Sequence, residues 1–300
     1  MIVIRLKLTL TLSLFIVSLL FAQDRPKIGL VLSGGSAKGL AHAGAIKVIE
    51  EAGIPIDYIA GTSMGALVGG FYAMGYDPDS MQQIIKNIDW DYILSNKIPR
   101  KRLSMEEKRD QQLYAISFPV ENLKIQIPEG LNKGNNILKF LENYSINSHH
   151  ISDFNELPIP FLCVATDITN GEEVILDSGY IATAMRASMA IPTIFSPVTM
   201  GDKLLVDGGL VNNFPVDLVK EMGADIVIGI NVGFKPFDKD DLGSITNIIM
   251  QSMLIPTIDK NRANKEMVDY LIEPDVGAKM MDDFKNAGKI IEAGEVAARN

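Results

Sequence analysis

Gly61-Thr62-Ser63-Met64-Gly65 is the stretch on which the reading of this chain turns. Ile56-Asp57-Tyr58-Ile59-Ala60 precedes it, short, apolar and partly β-branched, as a buried strand is. Ala66-Leu67-Val68-Gly69-Gly70-Phe71-Tyr72-Ala73 follows, rich in small residues and Leu, as a packed helix is. A serine flanked by glycines at a strand-to-helix turn is the Gly-x-Ser-x-Gly pattern of a nucleophile elbow. The glycines permit a strained backbone and a close approach of strand and helix. The helix N-terminus behind the serine favours developing negative charge. The same residues also describe a plain strand–turn–helix with Ser63 as its N-cap, and the pattern alone leaves both readings open.

The flanking chain repeats this alternation. Ile28 to Leu32 reads as a buried strand, Ser33 to Gly39 as a glycine-rich loop, and Leu40 to Glu51 as a helix closed by Gly53. A helix is expected from Pro78 to Asn87, strands at Phe161–Thr166 and Glu173–Leu176, and a helix at Ile181–Ser188. A strand at Lys203–Val206 leads into Asp207-Gly208-Gly209. A helix from Pro215 to Met222, a strand from Asp225 to Asn231, a helix from Asp241 to Ile255, a strand at Tyr270–Ile272 and a helix from Met281 to Ala298 complete the pattern. Strands alternating with helices predict βαβ units and a parallel sheet covered on both faces. Between Asp91 and Ser152 the chain is polar and punctuated by Pro119, Pro128, Gly130 and Gly134, with helices expected at Met105–Gln112 and Ile137–Tyr144. This insertion reads either as a binding wall or as a solvated connector. No repeat or linker divides Lys27 to Ala298, which indicates one domain.

The 300 residues are 47% hydrophobic and 22% charged, a globular composition, and the formal charge of −9 provides no basic field to hold nucleic acid. Arg5 and Lys7 precede an apolar run from Leu8 to Ala22, shorter than the ~20 residues a spanning helix needs. This predicts a signal peptide over residues 1–22 and export to the periplasm, outer membrane or medium, with the folded domain over residues 24–300. The one cysteine, Cys163, lies in an apolar run and reads as a small core residue.

Ser63 needs a base and an oxyanion site. The three histidines, His42, His149 and His150, do not follow a late strand as a hydrolase histidine does, so each reads as an ordinary partly buried or surface residue. Asp207 is the better base: it ends a strand, on a turn made mobile by Gly208 and Gly209. In a parallel sheet the carboxyl ends of the strands share an edge, where Asp207 and Ser63 can converge. A free carboxylate is a weak base, so the site must partly desolvate it. The loop from Ser33 to Gly39 has backbone N–H groups to offer an anion, but Leu40 stands where a phosphate-binding loop needs lysine. It reads as an oxyanion loop or as a plain tight turn.

Taken together, Ser33-Gly34-Gly35-Ser36-Ala37-Lys38-Gly39, then Gly61–Gly65, then Asp207-Gly208-Gly209 resemble the patatin-like phospholipase family. Arg186-Ala187-Ser188-Met189-Ala190-Ile191-Pro192 and Leu205 to Asn213 extend the resemblance over nearly all of Lys27 to Ala298. It implies a three-layer α/β/α sandwich with a mostly parallel central sheet. It also implies a dyad in which Ser63 attacks an ester carbonyl and Asp207 takes its proton and later activates water, without metal or cofactor. The amides of Gly34, Gly35 and Ser36 would hold the oxyanion, and Lys38, Met64 and Pro192 would contact substrate. The family's usual loop has a third glycine and an arginine where this chain has Ser36 and Lys38. A donor survives Gly→Ser where the local φ is negative, and lysine keeps the charge without the bidentate fork. The implied substrate is a phospholipid or other lipid ester at a membrane surface, with Met64, Met74, Met189, Ile191 and Phe195 lining the approach or packing in the core. A catalytically weak binding or passenger module of an envelope assembly would use the same fold.

Overall fold

The computed structural model describes residues 25–96, 104–105, 120–121, 124–125, 130–233, 236, 239–243, 245–277 and 283–300. The expected signal peptide over residues 1–22 lies outside them, as does nearly all of the helix expected over Met105–Gln112. In chain order, β1 (Ile28–Leu32) leads through a 3₁₀ turn, Ser36–Leu40, into α1 (Ala41–Glu51). Next come β2 (Tyr58–Thr62), α2 (Met64–Ala73), α3 (Pro78–Asn87) and the single-turn α4 (Trp90–Ile93). The insertion contributes the short strands β3 (Val120–Glu121), β4 (Lys124–Ile125) and β5 (Gly130–Asn132), then α5 (Asn135–Tyr144). After it come β6 (Phe161–Asp167), β7 (Glu172–Leu176), α6 (Ile181–Ser188), β8 (Thr193–Phe195), β9 (Val198–Met200) and β10 (Lys203–Asp207). The chain continues with α7 (Val216–Glu221), β11 (Ile226–Ile230), α8 (Ile245–Leu254), α9 (Ile258–Glu266), β12 (Tyr270–Ile272) and α10 (Ala287–Arg299).

The central sheet runs β12-β11-β1-β2-β6-β10-β9, with β7 also on β6. From β12 to β6 every pairing is parallel. The strands β7, β10 and β9 join antiparallel, so the sheet is mixed, with a parallel centre. Alternate residues of each buried strand face opposite layers, as the two-residue period of a strand requires. Leu30, Leu32, Ile59, Phe161, Cys163 and Ile230 pack in one core with α1, α2, α3, α6 and α10. Val31, Ala60, Leu162, Val164 and Val227 pack in the other with Phe214 and α7. Each Val, Leu, Ile or Phe among them, fully buried, contributes about 1.5–3 kcal/mol.

Two details differ from the expectations. Asp207 does not sit at the end of a strand parallel to β2, because β10 is antiparallel to β6. On β6, residues 161–164 pair with β2 and residues 165–167 with β10, whereas β7 pairs with residues 163–167. A strand has two edges, so β7 takes one, and β2 and β10 share the other, meeting head-on. The helix expected over Asp241–Ile255 is confined to α8, and a 3₁₀ turn at Ile255–Thr257 separates it from α9. Apolar periodicity does not reveal α9, whose only buried residue is Asn264. That amide donates to the Phe214 carbonyl, Asn212 Oδ1 and Asp217 Oδ1.

The second glycine of the elbow is required by crowding: a Cβ on Gly65 would stand 2.2 Å from the Leu32 carbonyl oxygen. Neither α2 nor β1 has space to retreat. Gly65→Ala is expected to lower stability by about 1–3 kcal/mol, read as a lower urea midpoint at unchanged m-value.

Candidate active site

Ser63 occupies the turn between β2 and α2 with φ 55° and ψ −120°. Such a conformation costs about 1–3 kcal/mol and is held only by surroundings that over-determine it. Here Thr62 Oγ1 donates to the Asn212 carbonyl at 2.8 Å, and the Ser63 N–H donates to Ser188 Oγ at 2.9 Å. The hydroxyl leaves the turn toward β10 and donates from Oγ to Asp207 Oδ2 at 2.7 Å.

Asp207 is itself held on every side. Its N–H donates to the Ala190 carbonyl, its carbonyl accepts from Thr166 Oγ1, and its Oδ1 accepts from the Gly209 N–H at 2.8 Å. The Asp-Gly-Gly turn is therefore not the mobile one expected from its glycines. It is buried, and a Cβ on Gly208 would lie 2.3 Å from the Val164 carbonyl oxygen. Asp207 is only 8% exposed. Burial pushes its carboxyl up from the usual 3.8 to about 6, against the hydrogen bonds from Ser63 and Gly209, which pull it down. A carboxylate so desolvated is a far better proton acceptor than one in water.

The glycine loop splits in two. The Gly34 N–H donates to the Asn213 carbonyl at 3.1 Å, and Asn213 Nδ2 donates back to the Gly34 carbonyl at 3.2 Å. Gly34 thus anchors the loop and does not offer its amide to an anion, contrary to expectation. Gly35 is extended at φ 177° and begins the 3₁₀ turn, and Ser36 follows at φ 51°. Among the described residues neither amide has an acceptor, as is usual for the first N–H groups of a helix. The negative φ that would make serine an easy replacement for glycine here is not found; the chain keeps Ser36 in left-handed backbone at about 1–2 kcal/mol, with its amide still unpaired among the described residues. Lys38 is buried on the same turn, with Nζ donating to the Gly233 carbonyl at 3.3 Å.

Two cavities meet at Ser63. The smaller, about 70 Å³, is bounded by Gly35, Ser36, Lys38, Pro192 and Asp207. The larger, about 660 Å³, passes Met64, Met189, Ile191 and Phe195 to Trp90. Met74, grouped with these residues on the sequence, packs against the core instead. Ser63 takes its side-chain partners from Asp207 and Ser188, and none of the three histidines hydrogen-bonds it. His42 is completely buried, neither surface nor partly exposed, and its Nε2 is 2.8 Å from the Ser33 carbonyl. Burial pulls its imidazole down to about 4, so it is neutral. His149 packs edge-on against Tyr180, and His150 is exposed. Among the described residues, no group of three or more His, Cys, Asp or Glu is arranged to hold a metal.

Two contributors carried no assigned role in the sequence reading, although both lie in stretches that support the resemblance. Ser188 accepts from the nucleophile's own amide, and Asn213 locks the glycine loop. Arg186, beside Ser188, is buried over the Phe195 ring at 4.9 Å and donates to the carbonyls of Lys133 and Ser196. It ties Lys133, within the insertion, to the loop lining both cavities.

Comparison with known proteins places the chain among relatives. Lysophospholipase NTE1 of Kluyveromyces lactis is 34% identical over 206 residues, covering 69% of this chain and 12% of that protein. The chain thus spans a small part of the curated lysophospholipases it matches. An uncharacterized NTE family protein of Mycobacterium tuberculosis is 29% identical over 296 residues, covering 91% of this chain and 46% of its own length. The crystal structure of VipD from Legionella pneumophila has a TM-score of 0.51 over 92% of this chain and 66% of that chain, at 16% identity, a likeness of fold. The patatin-like phospholipase family model matches residues 30–220, across both the elbow and the Asp-Gly-Gly turn, and the chain belongs to that family.

Proposed function

We propose that the protein is a lipid acyl hydrolase of phospholipase A or lysophospholipase type, cleaving carboxylic esters through a Ser63–Asp207 dyad. The observation that carries this reading is the 2.7 Å hydrogen bond from Ser63 Oγ to a buried carboxylate, at the meeting point of two cavities. Ser63 Oγ attacks the ester carbonyl while its proton passes to Asp207 Oδ2. The carbonyl oxygen gains negative charge and is held by the Gly35 and Ser36 amides, aligned before reaction and needing no reorganisation. Collapse breaks the ester C–O bond, and Asp207 returns its proton to the leaving alkoxide. The acyl group remains on Ser63. Asp207 then takes a proton from water, the resulting hydroxide attacks the acyl carbon, and the fatty acid leaves as Ser63 recovers its proton.

Substrate recognition follows from the walls. The apolar cavity beside Met64 receives the acyl chain, while Lys38 places a positive charge near the developing anion and the polar end of the lipid. Pro192 shapes the small cavity. Residues 1–22 serve as a leader for export on this reading, which rests on Arg5, Lys7 and the apolar run behind them. The working surface is then a membrane of the cell envelope or of another cell.

Ester release from a fluorogenic lysophospholipid tests the dyad. Ser63→Ala and Asp207→Asn are each expected to lower kcat/KM by about 10⁴-fold; equal turnover in wild type and both variants leaves the fold as a binding module. The kcat/KM profile should fall on the acid side with a midpoint near pH 6, about tenfold per pH unit below it, as Asp207 takes up its proton. Stability should run the other way. A carboxyl raised in the folded state favours folding when protonated, so its contribution is full below 3.8 and is lost as pH rises through about 6. The stability of Asp207→Asn relative to wild type is therefore expected to grow by about 3 kcal/mol between acid and neutral pH, read from urea unfolding across that range.

A further inference from the structure

The larger cavity ends on an aromatic wall. Trp90 and Phe284 stack with ring centroids 4.7 Å apart and planes inclined by 28°. Trp90 is 6% exposed, and its indole Nε1 donates to the Ile85 carbonyl at 3.1 Å, which fixes the ring's orientation. Behind the pair lies a second cavity of about 240 Å³, reached past Ile85, Ile88 and Gly288. Trp90 and Phe284, with Asp91 and Lys285 on their solvent side, border both spaces, one opening on Ser63 and the other not. The two rings are thus the apolar part of a partition, made from the start of α4 and the turn before α10.

We infer that the stacked Trp90–Phe284 pair is the end wall of the acyl-binding cavity and sets the longest acyl chain the protein takes. This rests on the hydrolytic reading above. An acyl chain entering from Ser63 gains about fourfold in affinity for each methylene it buries. That gain stops where the chain meets a rigid ring it cannot displace. Removing one ring joins the two spaces and lets a longer chain continue burying surface. Phe284 is the ring to remove, because it is only partly buried and lies in a short turn. Gly288 offers the converse change: it lies exposed on the rim of the rear cavity and a Cβ there meets nothing within 4 Å, so a larger side chain is accommodated there and can narrow that space without touching Ser63.

The test is the chain-length profile of kcat/KM on p-nitrophenyl esters from butyrate to stearate, for wild type, Phe284→Ala and Phe284→Ala with Gly288→Leu. The expected result is an optimum at longer chains in Phe284→Ala, with about a fourfold gain per methylene beyond the wild-type limit. The added Gly288→Leu should shift the optimum back toward wild type, which mere loosening would not do. Ser63-dependent hydrolysis with the same profile in all three proteins overturns the wall and leaves the dyad standing. A second readout separates the two ideas, because Trp90 is the chain's one tryptophan. Saturated fatty acids titrated into Ser63→Ala should change Trp90 emission, most strongly for those long enough to reach it. If wild type turns over no ester while this length-dependent response persists and moves in Phe284→Ala, hydrolysis falls and the wall stands. Neither turnover nor an emission response overturns both.

Discussion

The structure depends on a vacancy along one edge of β6. The strand β2 pairs with its first half and then leaves the sheet at Ser63, where the chain turns into α2. The second half of that edge would expose unpaired backbone groups, a costly state in a buried sheet. Running in the opposite direction, β10 fills it and ends at Asp207 opposite Ala165. Two strands that approach head-on along one edge bring their last residues face to face. The contact between hydroxyl and carboxylate is thus a product of backbone pairing, settled before either side chain chooses a rotamer.

That origin explains which parts of the site were legible in the sequence. The elbow announced itself through a local pattern: β-branched strand, glycine, serine, glycine, small-residue helix. Asp207 was likewise visible as a residue closing a strand before two glycines. How the two meet was not visible, since strand direction is decided by partners far along the chain, and the shared carboxyl edge of a parallel sheet gave the right neighbours for the wrong reason. The glycine loop shows the same limit. Gly34, Gly35 and Ser36 look equivalent in sequence, and only Asn213, brought in from beyond Asp207, decides that the first is an anchor. The helix α9 escaped notice because polar contacts through Asn264 hold it in place of an apolar stripe.

The site also concentrates the unfavourable terms of the fold. Ser63 and Ser36 both hold positive φ, and Asp207 is a carboxylate taken out of water. None of these would persist in isolation. Ser63 and Asp207 are held by hydrogen bonds with buried neighbours, Ser188 for the one and Thr166 and Gly209 for the other, which is how a large domain with two cores sustains a locally strained constellation. The same burial that makes Asp207 costly makes it basic enough to act.

The reciprocal pair between Gly34 and Asn213 has a mechanical consequence. Asn213 lies six residues after Asp207 on the same buried turn, so the loop carrying the Gly35 and Ser36 amides is bolted to the segment carrying the carboxylate. A displacement of either segment, by thermal motion or by a bulky lipid forcing its way in, drags the other along. Thr62 Oγ1, on the Asn212 carbonyl, ties the nucleophile's turn to the same segment, so loop, carboxylate and serine are clamped as one unit.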